Sequence, residues 1–185
     1  MTKIAIDPKS AALVLIDIQK GISGMPLAPF TGDQVIASAR ALSDHFRGLG
    51  ALVVLVNVAY PSAKDKPEVD FAMPMPDVMP PGWDELADGL GQPGDVRITK
   101  RGWSAFASTD LDQKLKAKGI RTLVLGGIAT NFGVEATARE AVGLNYSVIF
   151  ASDVMTTFSA QHQDFALQNI FPMIGRVRSR EQIMS

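Results

Sequence analysis

Near-continuous apolar runs alternate with amphipathic stretches along this chain, and no other feature constrains its fold as tightly. The runs are AALVLI (11–16), ALVVLVNV (51–58), DVRIT (95–99), IRTLVLG (120–126), YSVIFAS (146–152) and IGRVR (174–178). A strand with one wet face alternates apolar and polar residues; most of these runs do not, so they read as strands buried on both faces. The stretches between them carry helical periodicity. VIASARALSDHFRGLG (35–50) sets Val35, Ala39, Leu42 and Phe46 on one side. STDLDQKLKAKG (108–119), VEATAREAVGL (134–144) and FSAQHQDFALQNIF (158–171) read likewise, with Pro172 ending the last. Strand–helix alternation predicts an α/β fold, a parallel sheet covered on both faces and joined by right-handed crossovers. Ligands of such sheets lie at the carboxyl ends of the strands.

Length and composition suit one domain over residues 1–185, with 46% hydrophobic residues to fill a core. The net charge of -1 gives no case for nucleic acid or an anionic membrane surface. Arg176, Arg178 and Arg180 read as a solvated strand edge. The absence of cysteine excludes disulfides, thiolate metal sites and cysteine nucleophiles. No signal pattern opens the chain, and no run approaches the roughly 18 apolar residues of a membrane span. A soluble, cytoplasmic protein is the expectation. Residues 59–94 break the rhythm: seven of the eleven prolines lie there, among Tyr60, Phe71, Met73, Met75, Met79 and Trp83. That apolar content predicts an ordered loop covering the site or packing on a partner subunit.

Three strand ends carry the candidate chemistry. Asp17 follows AALVLI, and a desolvated aspartate there can act as a general acid or base. Gln19, two residues on, would share its side and hold Asp17 or a substrate. Lys100 follows DVRIT, beside Trp103 and Phe106, and could pair with a carboxylate or stabilise an anion. The third end is GGIATNFG (126–133), a turn into a helix whose amides, over residues 129–134, could polarise an oxyanion. Each also has a plainer reading: a loop-bonded aspartate, a surface lysine, a tight turn. The glycines do not have GxGxxG spacing, so no dinucleotide cofactor is expected, and a nucleotide-binding role would rest on the sheet alone. His45 and His162 lack neighbours at metal spacing and read as surface or cap residues. There is no GxSxG elbow, P-loop or HExxH.

Together LVLIDIQ (13–19), ITKRGWSAF (98–106) and GGIATNFGVEATAREA (126–141) resemble the isochorismatase-like, or cysteine hydrolase, superfamily. The resemblance runs from residue 11 to about 178. It implies a three-layer αβα sandwich with a six-stranded, mostly parallel sheet, a homo-oligomer, and hydrolysis of a C–N or C–O bond in a small-molecule substrate. Its catalytic triad is Asp, Lys and Cys; Asp17 and Lys100 match the first two, and the cysteine position falls on Gly133. It further implies a cis peptide at Ile128–Ala129 and a substrate pocket formed with Gln19, Trp103, Phe106, Ile128, Ala129, Thr130 and Phe132. The superfamily's nicotinamidase branch binds a metal through an Asp and two His; NVAYPSAKDKP has no such set, so neither metal nor cofactor is expected.

Glycine removes the thioester route of the superfamily's amidases. Two readings remain. In the first, the protein hydrolyses a small molecule without a cysteine, as isochorismatases hydrolyse a vinyl ether: the aspartate protonates the enol-ether carbon and water attacks the oxocarbenium ion. Gly133 would then enlarge the pocket. This needs an Asp17 pKa raised despite Lys100, by desolvation or by substrate carboxylates that engage the lysine. In the second, the protein is an inactive relative, a ligand-binding pseudoenzyme or an oligomeric scaffold.

Overall fold

The computed structural model describes residues 5–60, 68–71, 76 and 78–185. Its elements follow the order β1 (Ala11–Ile16), α1 (Lys20–Ser23), α2 (Gly32–Gly48), β2 (Leu52–Val58), β3 (Val96–Lys100), α3 (Leu111–Ala117) and β4 (Thr122–Ile128). A π-helical turn (Thr130–Val134) then leads into α4 (Glu135–Gly143), β5 (Ser147–Thr156) and α5 (Ala160–Phe165). A second π-helical turn (Ala166–Ile170), α6 (Phe171–Ile174), β6 (Arg176–Arg178) and α7 (Arg180–Met184) complete the chain. The sheet has six strands in the order β3-β2-β1-β4-β5-β6. Every adjacent pair is parallel.

Parallel strands flanked by helices on both sides leave no wet face, which accounts for the near-continuous apolar runs. In β1, Ala12, Val14 and Ile16 face a core shared with Leu111 and Leu115 of α3, Ala138 and Ala141 of α4, and Phe171. Leu13 and Leu15 face the opposite core, with Val35, Ala39, Leu42 and Phe46 of α2 and Ile183 of α7. The helices thus form the outer layers of an αβα sandwich.

Several boundaries differ from the sequence expectation, each for a local reason. Helix α2 starts at Gly32 because Thr31 caps it, with Gln34 completing a capping box. Pro172 does not end a helix; it sits in the first turn of α6, where no amide donor is needed. Strand β5 runs on to Thr156 through a register shift against Leu125 and Gly127 of β4. Lys100 belongs to β3 itself, paired with Val58, and does not lie past the strand.

Of the proline-rich stretch 59–94, expected to cover the site or pack on a partner subunit, residues 61–67, 72–75 and 77 lie outside the described residues. Its later part docks on the chain that leaves β1. Gly21 N donates to Trp83 O at 2.9 Å and Lys20 N to Glu85 O at 2.8 Å. Ala87 N donates to Ile18 O at 3.0 Å.

Strands β2 and β3 lie to one side of β1 and β4 to the other, so the β1/β4 boundary is the switch point of the sheet. Gly127 makes that boundary possible. Its φ is +126°, and a Cβ there would lie 2.0 Å from Ile16 O. Gly127→Ala is expected to destabilise the protein by about 3 kcal/mol or more, because both backbone and neighbour must move. Urea denaturation measures this; a loss under about 1 kcal/mol would show that the strands part easily.

Candidate active site

Asp17 leaves β1 with φ +51°, an uncommon value for a non-glycine residue. Its amide donates to Val56 O at 2.9 Å, which anchors the turn to β2. The carboxylate is buried, and Oδ2 accepts from Lys100 Nζ at 2.8 Å. Lys100 is 1% exposed. Its ammonium also donates to Gly102 O and Trp103 O, each at 3.0 Å. An ammonium has three donors, and these three acceptors engage all of them. Among the described residues, Asp17 Oδ1 is buried without a hydrogen-bond partner.

Burial dominates the acidity of this pair. Desolvation pushes the Asp17 carboxyl up to about 6, although the Lys100 charge and hydrogen bond pull it down. The conflict between the two effects is therefore decided for burial, without help from substrate carboxylates.

Gly133 completes the cluster. A Cβ built on it would lie 3.1 Å from Ile16 Cγ2, 3.2 Å from Asp17 Oδ2 and 3.4 Å from Lys100 Nζ. A side chain at 133 would thus enter the ion pair directly. These neighbours would have to give by a few tenths of an ångström to admit that Cβ. The Ile128–Ala129 peptide is cis. Within the following turn, Phe132 N and Val134 N both donate to Ala129 O, at 3.1 and 3.2 Å. Those two amides are not available to an oxyanion, which narrows the 129–134 set.

The other expected pocket residues divide. Trp103 is 52% exposed and stacks on Phe132 at 5.2 Å, with 28° between the rings. Phe132 in turn meets Phe158 edge-on at 6.1 Å. Ile128 and Ala129 are buried in the core on the α2 side. Thr130 is fully buried, and its hydroxyl donates to Gln163 Oε1, so its side chain supports the turn and does not face a ligand. Phe106 corrects a further expectation: it lies in the opposite core, stacked on Tyr146 at 5.8 Å. Gln19 neither holds Asp17 nor faces a substrate. Its amide oxygen accepts from Val58 N at 2.8 Å, and its amide nitrogen donates to Val58 O at 3.1 Å and Trp83 O at 3.2 Å.

Three positioning residues escaped the sequence reading. Thr137 Oγ1 donates to Gly133 O at 2.7 Å and accepts from Ala105 N at 3.0 Å, tying the glycine turn to the loop after Lys100. Gln163 donates to Met155 O at 3.2 Å while receiving Thr130. Thr157 Oγ1 donates to Asn131 Oδ1 at 2.5 Å, bracing the turn from the end of β5. A hydroxyl or amide inside an ordinary helix has no sequence signature; only the TNFGVEATAR context could have flagged Thr137.

No group of acidic or histidine side chains that could hold a metal occurs among the described residues. No helix among them is long and apolar enough to cross a membrane. Two open clefts, of about 440 and 400 Å³, are lined around Asn57, Asp84 and Arg97 and around Phe30, Asp153 and Arg180. Neither includes Asp17, Lys100 or Gly133.

A doubly wound parallel sheet with a buried carboxylate–ammonium pair at its switch point defines an α/β protein with its candidate site where the topology places one. The chain matches the Isochorismatase domain over residues 11–182. It is 44% identical over 188 residues to the isochorismatase family protein YwoC of Bacillus subtilis, covering 100% of this chain and 97% of that one. It is 32% identical to the ureidoacrylate amidohydrolase RutB of Caulobacter segnis, over 94% of this chain and 84% of that one. The solved structure of an isochorismatase family protein from Burkholderia thailandensis superimposes with a TM-score of 0.92 at 41% identity, covering 99% and 97% of the two chains. This chain belongs to the isochorismatase family, a family of hydrolases.

Proposed function

We propose that the protein hydrolyses a small molecule without a cysteine nucleophile, with Asp17 Oδ1 as the proton donor. The observation that carries this reading is the asymmetry of one carboxyl group: Oδ2 is held by Lys100 at 2.8 Å, while Oδ1 is buried and has no partner among the described residues. A carboxyl group pushed up to about 6 remains partly protonated near neutral pH, as a general acid requires. Lys100, with its three donors engaged, holds and orients Asp17 and does not bind the substrate.

A vinyl ether suits a site with an acid and no nucleophile. Asp17 gives its proton to the enol-ether carbon, leaving an oxocarbenium ion and a carboxylate. Water adds to the cationic carbon and returns a proton to Asp17. The hemiketal then separates into a carbonyl compound and an alcohol. The carboxylate stabilises the cation, and no covalent enzyme intermediate forms. In a screen of small vinyl ethers, kcat/KM of any substrate found should fall as pH rises above about 6, and Asp17→Asn should abolish turnover. A profile flat from pH 5 to 8, or an active Asp17→Asn, would remove Asp17 from this role.

The alternative is a ligand-binding scaffold without turnover, motivated by the glycine that stands at the family's cysteine position. Gly133→Cys separates the two. Gly133 lacks a positive φ, so its backbone accepts an L residue, and the neighbours need yield only a few tenths of an ångström. Beside Lys100, the new thiol would form a thiolate more readily than a free cysteine. The variant is expected to acquire cleavage of small amides through an acyl-enzyme, seen as ammonia release with a covalent adduct by mass spectrometry. A folded variant that forms no adduct favours the scaffold. The reading extends to a homo-oligomer: Phe165 and Met173, 60% and 85% exposed, supply apolar surface for it. Sedimentation velocity measures the state.

A further inference from the structure

We propose that the cleft between α2, β5 and α7 is a second ligand site, and that it takes a small zwitterion, an α-amino acid with an apolar side chain. The proposal does not depend on the hydrolase reading. The cleft, of about 400 Å³, is lined by Phe30, Gln34, Ala37, Ser38, Asp153 and Arg180 and includes none of Asp17, Lys100 and Gly133. Its volume lies in the range of small-molecule pockets.

An irregularity of the sheet builds this cleft. Leu125 of β4 pairs with Phe150 of β5, and the next pair is Gly127 with Met155. Residues 151–154 therefore bulge from that ladder, and a bulge re-aims side chains that a regular strand would hold on its two faces. Two bonds fasten the bulge to the chain beyond it. Ser152 Oγ donates to Arg178 O at 3.3 Å, and Asp153 Oδ1 accepts from Arg180 N at 2.5 Å. Arg180 opens α7 and is half-buried, which corrects its reading as part of a solvated strand edge. Phe30 is fixed by the same strand: its amide donates to Thr156 Oγ1 at 3.2 Å, and that hydroxyl donates to Phe30 O at 2.8 Å. Helix α2 supplies the remaining wall, where Gln34, Ala37 and Ser38 share a face by their spacing. Ala37 and Ser38 are small and leave room above the helix.

Two opposite charges line the cleft without neutralising each other. No ion pair among the described residues includes Arg180 or Asp153. Among the same residues the Arg180 guanidinium makes no hydrogen bond, and Asp153 uses Oδ1 alone. Gln34 Oε1 accepts from Thr31 N, which leaves its Nε2 as a donor, and the Ser38 hydroxyl is uncommitted among them too. A lone anion entering the cleft is drawn to Arg180 and repelled by Asp153, and a lone cation the reverse. A zwitterion answers both charges at once. Its carboxylate meets the planar guanidinium fork, with Gln34 and Ser38 as further donors, and its ammonium meets Asp153 Oδ2. The half-buried Phe30 ring gives an apolar side chain a surface to lie on.

L-Phenylalanine is the probe, read by isothermal titration calorimetry on the full-length protein at neutral pH. Hydrocinnamate lacks its ammonium and phenethylamine lacks its carboxylate. L-Phenylalanine should bind at least about tenfold more tightly than either analogue, about 1.4 kcal/mol. Arg180→Met and Asp153→Asn should each weaken it by about tenfold or more. Asparagine keeps an acceptor for Arg180 N, and circular dichroism with the urea midpoint checks both folds. Should neither variant fold, Ala37→Trp, which fills the cleft from an exposed position of α2, should abolish binding. Asp17→Asn should leave the affinity unchanged. Equal or tighter binding of either analogue overturns the proposal. So does unchanged affinity in a folded Arg180→Met, Asp153→Asn or Ala37→Trp, or no binding of L-phenylalanine at millimolar concentration. Affinity lost in a folded Asp17→Asn would move the ligand to the ion pair and overturn it as well. Binding by a protein that turns over none of the screened vinyl ethers would sink the hydrolase reading while leaving this one standing.

Discussion

Lys100→Met should cost about 3–5 kcal/mol of folding stability at pH 8, the range for removing one partner of a buried ion pair. Methionine nearly fills the volume of the lysine stem but leaves Asp17, 4% exposed, without its cation. Both effects of Lys100 on Asp17 lower its pKa, so their removal drives the titration upward from about 6. The carboxyl group then avoids the penalty by staying protonated. The loss should therefore be distinctly smaller at pH 5 than at pH 8. Urea midpoints at the two pH values measure it. Equal losses would mean that Lys100 acts through packing alone, and the ion pair would drop out of the account.

Asp17→Asn should lower the rate of any hydrolysis found by about 10²–10⁴-fold, the usual contribution of a general acid. It should do so without unfolding the protein, because an Asn carbonyl can still accept from Lys100. Its larger signature is in the pH dependence of stability. The folded Asp17 carboxyl titrates near 6, above the 3.8 of an unperturbed aspartate. Between those values the folded state binds more protons than the unfolded state, so stability falls as pH rises. This contribution is fully present below about pH 4, declines through pH 4–6 and is absent above, an amplitude of about 3 kcal/mol. The difference between wild type and Asp17→Asn isolates it from every other titrating group. If the two proteins show parallel stability curves from pH 4 to 7, burial does not govern this carboxyl.

The strands were legible because a sheet covered on both faces demands apolar residues at nearly every position. All six apolar runs became strands, and Asp17, Lys100 and Gly133 could be singled out as residues at or just past their ends. The errors cluster where a local rule stops applying. Strand alternation places Gln19 beside Asp17, but Asp17 leaves the strand with φ +51°, which turns the following residues toward β2. Phe106 lies close to Lys100 in sequence, yet the chain after Trp103 dives into the opposite core, where the ring stacks on Tyr146. Thr137, Gln163 and Thr157 are invisible to sequence reading because their partners are 20 or more residues away or act through the backbone.

By itself, then, the sequence determined the class of fold, the parallel layers and the chemistry that an absent cysteine excludes, since burial and composition act position by position along the chain. Only the tertiary structure decided the state of the ion pair. Whether Asp17 is desolvated more than Lys100 compensates, whether Lys100 keeps a free donor, and whether a side chain at Gly133 would have room are distances between strand ends. Those distances are set by the register of β1 against β2 and β4 and by the loop that folds Gly102 and Trp103 back over the ammonium.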